Sequence, residues 1–382
     1  MGTIPLAVVS GAIYPLAIVL KGLFSGGGSE NLLGVELTSE TIAVAQLKQQ
    51  GSSLKLTHFA TTPMPSGAME DDKILDPQAV GLTLLELLNE NRIKQTQVAS
   101  AIPGRDAIVR LLRLPADLPE DELRNTVLNQ EAELYIPFPR EEADIDFQPL
   151  GINVSPDGAE EIEVLLVATP REIVDNYLSV MSVANLEVNS IELASFALIR
   201  AIKDQLAQFG QQEAIALASI GYEVTQLSII VSGVPQFTRT INIGTAEMQQ
   251  VLGQALNVPA ATSDSLLKSL KLPIVDPNVG SRPTGNPGSA AVARVLTDLA
   301  DELQRSIDFY ANQDGSASVV QILLAGQGAS LKDIDVFLGQ QLSQTVSLVD
   351  PLNGVSVPQS IDIPEGMRAS IGVAVGLGMR ES

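Results

Sequence analysis

The stretch Leu32–Met64 reads LLGVELTSETIAVAQLKQQGSSLKLTHFATTPM, and Ala214–Gly244 reads AIALASIGYEVTQLSIIVSGVPQFTRTINIG. Each begins with an apolar strand, passes a short polar turn and runs into a second apolar strand. Each then turns again at a glycine, Gly51 or Gly233, and enters a third strand. Two similar hairpin units about half a chain apart predict two copies of one α/β domain.

The composition fits a two-domain globular protein. The chain has 382 residues, of which 45% are hydrophobic and 18% charged, so it is long enough to bury more than one core. Its formal net charge of −22 argues against binding nucleic acid, because such a surface repels phosphates. The plain interpretation is an ordinary acidic surface; the more specific one is an acidic face that meets a basic partner segment.

Residue usage excludes several classes of site. The sequence has no cysteine, so it has neither disulfides nor thiolate chemistry. His58 is the single histidine and stands in the alternating stretch Lys55–Phe59, which favours an exposed strand position over a catalytic one. No GxSxG motif accompanies it, so a serine-hydrolase triad is not indicated.

The first 29 residues differ from the rest. Ile4–Leu20 is apolar but carries Pro5 and Pro15, and a glycine-rich stretch begins at Ser25. The run is somewhat short for a membrane span and lacks the basic start of a signal peptide. It is an anchor, an unusual export signal or upstream sequence wrongly included; we favour the last and expect the functional chain to begin near Val19–Lys21.

Helical patterns separate the strands. Asp76-Pro77 predicts a cap followed by proline at the first helical position. An apolar stripe predicts a helix from about Val292 to Tyr310. A smaller unit is expected inside the first half, at about 114–182, with a helix that opens on three acidic residues and ends at Tyr135-Ile136-Pro137. Together with the position of the second hairpin unit, these patterns predict a first domain at 30–210 and a second at 211–382.

Three features together resemble one family. These are the repeated hairpin, the strand and turn LLAGQGAS at 323–330, and the stretch YIPFPREEADIDFQPLG at 135–151. With RSIDFY at 305–310 they are similar to the PilM family of type IV pilus assembly proteins, FtsA-like members of the actin-like superfamily, and to its cyanobacterial forms in particular. The resemblance implies an α/β actin-like fold with two ribonuclease-H-like domains, an inserted small α+β subdomain and a nucleotide cleft.

The resemblance also implies a set of nucleotide-binding residues. In the first turn these are Gly34, Glu36, Thr38 and Ser39, with Glu36 placed where the family usually has the aspartate that helps to hold Mg²⁺. In the second turn they are Ser219, Gly221 and Tyr222, with Ser219 at the usual aspartate position. Since one carboxylate is replaced and the other lengthened, we expect ATP to bind through backbone donors and to be hydrolysed slowly if at all.

On the adenosine side the resemblance implies Gly326 and Gly328 under the base, and Glu302, Arg305 and Ser306 on the facing helix. The alternative for that helix is a solvated face on which Asp301 and Arg305 form an ion pair. For Tyr135, Pro137 and Phe138 we favour a structural role, as a helix stop packed between subdomains.

The implied function is a cytoplasmic scaffold, peripheral to the inner membrane, that binds the cytoplasmic tail of PilN and through it connects with PilO and the pilus motor ATPases. We expect the tail to dock between the inserted unit and its host domain, with strand 107–114 offering an edge. Alternatives are an active actin-like ATPase or a membrane-anchored filament protein similar to FtsA. The oligomeric state stays open.

Overall fold

The structure is a computed structural model that describes residues 32–51, 53–155, 158–274, 286–313 and 315–381. The predicted leader at 1–29 and the predicted start near Val19–Lys21 therefore lie outside the described residues. In the described part of the chain, no helix combines the length and the apolar character needed to cross a membrane.

The strands follow the predicted alternation of hairpins and helices along the chain. They are β1 Leu33–Leu37, β2 Thr41–Gln50, β3 Ser53–Pro63, β4 Met69–Glu70, β5 Lys73–Ile74, β6 Gln97–Ile102, β7 Ile108–Pro115, β8 Ala143–Val154, β9 Glu160–Pro170, β10 Glu187–Leu193, β11 Glu213–Ile220, β12 Thr225–Val231, β13 Val234–Ile241, β14 Ser318–Ala325, β15 Val346–Leu348 and β16 Val355–Ser356.

The helices lie mainly between these hairpins. They are α1 Pro77–Glu90, α2 Glu120–Asn125, α3 Ala132–Tyr135, α4 Arg171–Val183, α5 Ala194–Ala201, α6 Lys203–Leu206, α7 Thr245–Leu256, α8 Ala260–Ser269, α9 Pro287–Ala311, α10 Ile334–Leu342 and α11 Gly372–Gly378. A π-helical turn, Thr126–Glu131, joins α2 to α3, and 3₁₀ turns cover Arg140–Glu142, Gln327–Ser330 and Glu365–Ser370.

The two sheets have the same strand order, apart from one extra edge strand in the first. Among the described residues the first runs β16-β3-β2-β1-β6-β10, in which β16 is the extra strand, and the second runs β13-β12-β11-β14-β15. In both, the hairpin strands pair antiparallel and the first of them pairs parallel with a later strand, β6 or β14. Gly51 and Gly233, the predicted hairpin glycines, have φ of +64° and +80°, where a Cβ would be strained. The predicted duplication of one hairpin unit is confirmed.

The inserted unit is a three-stranded antiparallel sheet, β7-β9-β8, covered on one face by the helical segment from Glu120 to Tyr135. Its bounds differ from the expected 114–182. The sheet begins at Ile108, and α4 packs on α1 in the core of the first sheet through Val174, Tyr177 and Val180. Leu150 and Leu165 on the other face of the unit join that same core.

The predicted helix caps and stripes are observed. Asp76 accepts a hydrogen bond from the Ala79 N–H at 3.0 Å, with Pro77 at the first helical position, as predicted. In α9 the predicted stripe is buried against the second sheet, through Val292, Val295, Leu296, Leu299, Leu303 and Ile307.

The C-terminal elements β16 and α11 pack on the first sheet. The predicted domain boundary at 210/211 did not include this return. β16 pairs parallel with β3, and α11 packs on β1, β2 and α5. A Cβ added to Gly376 would lie 1.8 Å from the Ala197 carbonyl oxygen, so α11 and α5 approach more closely than any larger residue allows. Because α5 follows the first sheet and α11 ends the second half of the chain, this contact joins the two halves.

Candidate functional site

A cavity of about 640 Å³ lies between the two sheets. Its walls are the turn between β1 and β2, the turn between β11 and β12, the 3₁₀ turn after β14 and one side of α7 and α8. Of the predicted site residues it brings together Glu36, Thr38, Ser39, Ser219, Gly221, Tyr222 and Gly326. These residues are far apart in the chain, so the cavity is formed only when both sheets are in place.

The first turn is held by its own hydrogen bonds. The Thr38 N–H donates to the Thr41 carbonyl oxygen at 2.9 Å, and the Thr41 N–H donates to Thr38 Oγ1 at 3.0 Å. Such a closed turn fixes the direction of the backbone between them, as a phosphate-binding loop requires. The Thr38 hydroxyl is thus used to close the turn.

Glu36 is half-buried beneath this turn, near the end of β1, and lines the cavity. Its carboxylate accepts a hydrogen bond from the Ala374 N–H of α11 at 3.2 Å. Burial raises the pKa of Glu36 to about 7, and the Ala374 hydrogen bond offsets part of that effect. Burial therefore favours the protonated form of the side chain, which makes it a weaker cation ligand than an exposed aspartate.

The second turn rests on the start of α7. The Gly221 carbonyl accepts from the Thr245 N–H at 3.0 Å, and the Tyr222 carbonyl accepts from the Ala246 N–H at 2.8 Å. A Cβ on Gly244 would lie 2.1 Å from the Tyr222 carbonyl oxygen, so glycine is required there for the turn and α7 to meet. The second turn is therefore packed directly on the start of α7.

Gly326 and Gly328 also pack on the second turn. Gly326 has φ of +81°, and a Cβ on it would lie 2.5 Å from the Ile220 carbonyl oxygen. Gly326 lines the cavity, whereas Gly328 does not: its missing Cβ makes room for Ile220 Cγ2, at 2.2 Å from the ideal Cβ position. Gly328 thus serves close packing of the turn.

Besides Gly328, four more of the predicted residues do not line the cavity. A Cβ on Gly34 would lie 2.4 Å from the Ala374 carbonyl oxygen, so this glycine admits α11. Glu302, Arg305 and Ser306 are likewise absent from the cavity lining, and Glu302 and Ser306 instead contact β13. Arg239 donates to Glu302 Oε2 and to Ser306 Oγ, each at 3.1 Å, and Arg305 pairs with Glu302. The helical face is thus occupied by an ion-pair network.

Several cavity residues were not predicted. Gln249 on α7 donates to Glu40 Oε1 at 3.3 Å and to Asp264 Oδ1 at 3.2 Å, and so bridges the two halves. Gln327 Nε2 makes a second bridge, to Thr41 Oγ1 at 3.4 Å. Asp72, Arg105 and Lys268 also line the cavity. Gln327 could have been predicted from the sequence, since it lies between the two glycines of the predicted turn. No sequence pattern points to the other residues.

Carboxylates dominate the charge around the cavity. Glu36, Glu40, Asp72 and Asp264 line it, against Arg105 and Lys268. Burial, helped by the charge of Glu223, raises the pKa of Asp72 to about 6, and burial also raises the pKa of Glu40. Within the described residues, no group of three or more acidic or histidine side chains converges on a metal position. A cation here would need water and ligand oxygens to complete its shell.

Comparison with known proteins decides the family. The family described as "Type IV pilus assembly protein PilM" matches residues 34–382. The chain belongs to this family. A structure described as "PilM-PilN type IV pilus biogenesis complex" is similar to the PilM-family chain with a TM-score of 0.78 and 24% identity, covering 92% of this chain and 98% of that one.

A second structure, the ethanolamine utilization protein EutJ from Carboxydothermus hydrogenoformans, has a TM-score of 0.52 and 13% identity, covering 91% of this chain and 89% of that one. Together with the shared strand order of the two sheets, these likenesses confirm the predicted fold class, an α/β actin-like fold. The PilM family membership predicted from the hairpins and from 135–151 is likewise confirmed.

Proposed function

We propose that this PilM-family protein is a nucleotide-binding scaffold of the type IV pilus assembly platform, located beside the inner membrane, and that it binds an extended tail of PilN. The observation that carries the proposal is the cleft between two sheets of the same topology, combined with a separate inserted unit on one of them. The cleft is the part that would hold a nucleotide, and the inserted unit is a part that a nucleotide switch alone would not need. Contacts with PilO and the motor ATPases, and roles in twitching motility or DNA uptake, would follow through PilN.

The nucleotide part of the proposal rests on the two turns. Both are held by backbone hydrogen bonds and lie on facing walls of one cavity, as binding of a polyphosphate between two hairpins requires. Mg²⁺ would be held through Glu36 and water, but the Glu36 carboxylate is engaged by α11 and Ser219 replaces a second carboxylate. Binding without efficient turnover is the expected result.

The test is to measure ATP binding and hydrolysis by the purified protein. We expect calorimetric binding of ATP and a turnover rate far below about 1 per second, the low end of typical enzymes. A Mg²⁺-dependent rate in the enzyme range that is lost in Glu36→Ala would contradict the proposal and would support an active ATPase instead.

The tail-binding part rests on the inserted unit. Residues 114–170 contain fourteen acidic and two basic residues, which concentrates negative charge on this small part of the chain. β7 is an edge strand of its sheet, and a second cavity of about 320 Å³ opens beside it, lined by Leu111, Arg113 and Gln236. An extended basic segment with apolar residues could add to this edge and fill that cavity.

A deletion of the inserted unit tests this part of the proposal. A deletion through residue 182 would remove α4 from the core of the first sheet, whereas Ile108 and Ala168 are direct partners across a ladder. Residues 108–168 can therefore be replaced by two glycines, because neighbouring strands are only about 5 Å apart. This deletion keeps α4 but removes Leu165 and Val167 from the first core, so some loss of stability is expected. If the folded deletion variant, checked by circular dichroism, binds a synthetic PilN tail peptide as tightly as the intact protein, the inserted unit is not the docking site.

A point variant gives a finer test. Leu111→Lys places a charge of the same sign as the basic segment in the cavity beside β7 and should weaken peptide binding by about tenfold or more. Leu82→Lys is the matched control, because Leu82 is 51% exposed on α1, away from the inserted unit. Equal affinity of the two variants would exclude the β7 edge.

A further inference from the structure

The edge of the first sheet at which β1 begins carries basic side chains. Leu33 pairs with Gln46, and β2 runs on from there to Gln50, so the β2–β3 hairpin extends beyond the start of β1. Lys48 and Lys55 lie directly opposite each other on this extension. Like charges in that position destabilise a hairpin, so a partner that neutralises them would give the pair a purpose.

Two more basic residues lie at the same edge. Because β6 pairs parallel with β1, the segment that leads from α1 into β6 lies beside the start of β1. That segment carries Arg92 and Lys94, and both are exposed. We call Lys48, Lys55, Arg92 and Lys94 the basic edge. Among the described residues, none of these four side chains is within ion-pair distance of a carboxylate.

The hairpin is basic although the chain as a whole is strongly acidic. Residues 41–68 contain two lysines and one histidine but no aspartate or glutamate, whereas acidic residues outnumber basic ones by 45 to 23 in the whole chain. Three carboxylates lie near the edge on other elements: Glu90 at the end of α1, Glu187 at the start of β10, and Glu381 next to Arg380. Positive charge at this edge is therefore concentrated on the hairpin.

The strongly acidic inserted unit joins the first sheet at the opposite end of its strands. It begins at Ile108, after β6 has ended at Ile102, whereas Lys94 precedes the start of β6. The six residues of β6 span about 20 Å, which is twice the distance of about 10 Å over which salt screens charges at moderate ionic strength. The net charge of the chain therefore does not by itself prevent the basic edge from attracting an anionic surface.

We propose that the basic edge is the face that this protein presents to an anionic membrane surface. The inference deepens the proposed location beside the inner membrane and rests on it. A flat bilayer can contact the strand ends of one sheet edge together, and each lysine or arginine near an anionic leaflet strengthens attachment about fivefold.

The chain also enters the fold at this edge, since Leu32 lies beside Arg380 and leads into β1. The sequence before it carries the apolar run Ile4–Leu20. In a native chain that keeps this run, an apolar segment and a basic surface would act on the same side of the molecule, and stable membrane attachment usually needs two such signals. The basic edge carries the proposal without it.

The test is cosedimentation of the full chain with vesicles of phosphatidylcholine, either alone or with about 30% phosphatidylglycerol as the anionic lipid. We expect the wild type to bind the anionic vesicles about tenfold more strongly than the neutral ones at about 50 mM NaCl, and to lose this preference at about 500 mM.

Two double variants locate the attraction. Lys48→Gln/Lys55→Gln should weaken binding to anionic vesicles by about tenfold or more and leave binding to neutral vesicles unchanged. The matched control is Lys271→Gln/Lys332→Gln, which removes the same charge from two exposed lysines of the second half. The control should bind both kinds of vesicle as the wild type does.

Three results would overturn the proposal. An equal loss in the two double variants would assign the attraction to total charge, and equal binding of neutral and anionic vesicles would show that charge has no part in it. Binding of a single-stranded DNA oligonucleotide that matches the anionic vesicles in strength and is lost in Lys48→Gln/Lys55→Gln would make the edge a nucleic-acid surface instead.

A synthetic PilN tail peptide, measured in solution without vesicles, tests the scaffold function separately. If the wild type binds the peptide but not the anionic vesicles, the basic edge is wrong while the scaffold function stands. If it binds the anionic vesicles through Lys48 and Lys55 but does not bind the peptide, tail binding fails and the basic edge stands.

Discussion

Glu36 connects the cleft with the end of the chain. Its carboxylate lies under the first turn on one side and accepts from the Ala374 N–H of α11 on the other. Burial raises its pKa from 4.5 to about 7. A carboxyl group whose pKa is higher in the folded chain than in the unfolded chain stabilises the fold in its protonated form. Its effect on stability therefore changes within the physiological pH range.

The sign of this effect gives a prediction. Between pH 4.5 and about 7 the folded chain keeps a proton on Glu36 that the unfolded chain has released. The free energy of unfolding should therefore fall as pH rises through this range and level off above it, by up to about 3 kcal/mol. In Glu36→Gln, whose amide oxygen can still accept from Ala374, this part of the fall should disappear.

Urea unfolding of the wild type and of Glu36→Gln, at about pH 5 and about pH 8, measures this change in the free energy of unfolding. Asp72 serves as an internal check, because its pKa is also raised, to about 6. A smaller decrease in the free energy of unfolding, at the acidic end of this range, should therefore remain in both proteins. An identical pH dependence of wild type and Glu36→Gln would show that Glu36 titrates as in the unfolded chain.

At the scale of elements, α11 determines how the two halves join. It is a short helix made largely of glycine and small apolar residues, and each of its residues is buried. Gly376 faces the Ala197 carbonyl oxygen of α5, and Gly378 faces that of Ala45 in β2. Both contacts are backbone to backbone, so they cannot relax by moving a side chain.

Gly376→Ala should accordingly destabilise the protein. The added Cβ would lie 1.8 Å from the Ala197 carbonyl oxygen, so α11 or α5 must shift, at a cost of about 3 kcal/mol or more. Gly366→Ala is the matched control, because no atom lies within 4 Å of its added Cβ. Urea unfolding followed by circular dichroism should show a large loss for the first variant and little change for the second; equal midpoints would mean that the contact is not rigid.

The elements also show what sequence reasoning can reach. Hairpins, the Asp76 cap and the α9 stripe were predictable, because their signals lie within a few residues of one another. The return of α11 to the first sheet was not, because small apolar residues at the end of a chain indicate no particular partner. Glu302 was misplaced for a related reason: its partner Arg239 is 63 residues away, and no local pattern links them.

At the scale of the whole molecule, charge is distributed unevenly. The chain has a net charge of −22, and the stretch 114–170 accounts for about half of it. Opposite charges accelerate encounter between partners, and salt screens them over about 10 Å at moderate ionic strength. If the inserted unit binds a basic tail, the association rate should depend on salt through this unit in particular.

We therefore expect the association rate of a synthetic PilN tail peptide to fall by about tenfold between about 50 and about 500 mM NaCl. Replacing Glu160 and Glu161 on β9 with glutamine should reduce that dependence. Replacing Asp298 and Asp301 on α9 with asparagine removes the same charge elsewhere and should not. Stopped-flow measurements compare them, and an equal loss of salt dependence in both variants would assign the effect to total charge alone.

The return of α11 to the first sheet has a consequence for how the protein is made. Glu36 and the Ala374 N–H that it accepts from are 338 residues apart. At about 5–20 residues per second, roughly 20–70 seconds of translation separate them. During that interval β1 and β2 have emerged without the helix that covers them, and their apolar faces are open to other chains. The early half of the nascent chain should then depend on chaperones until α11 has been synthesised and can cover these strands.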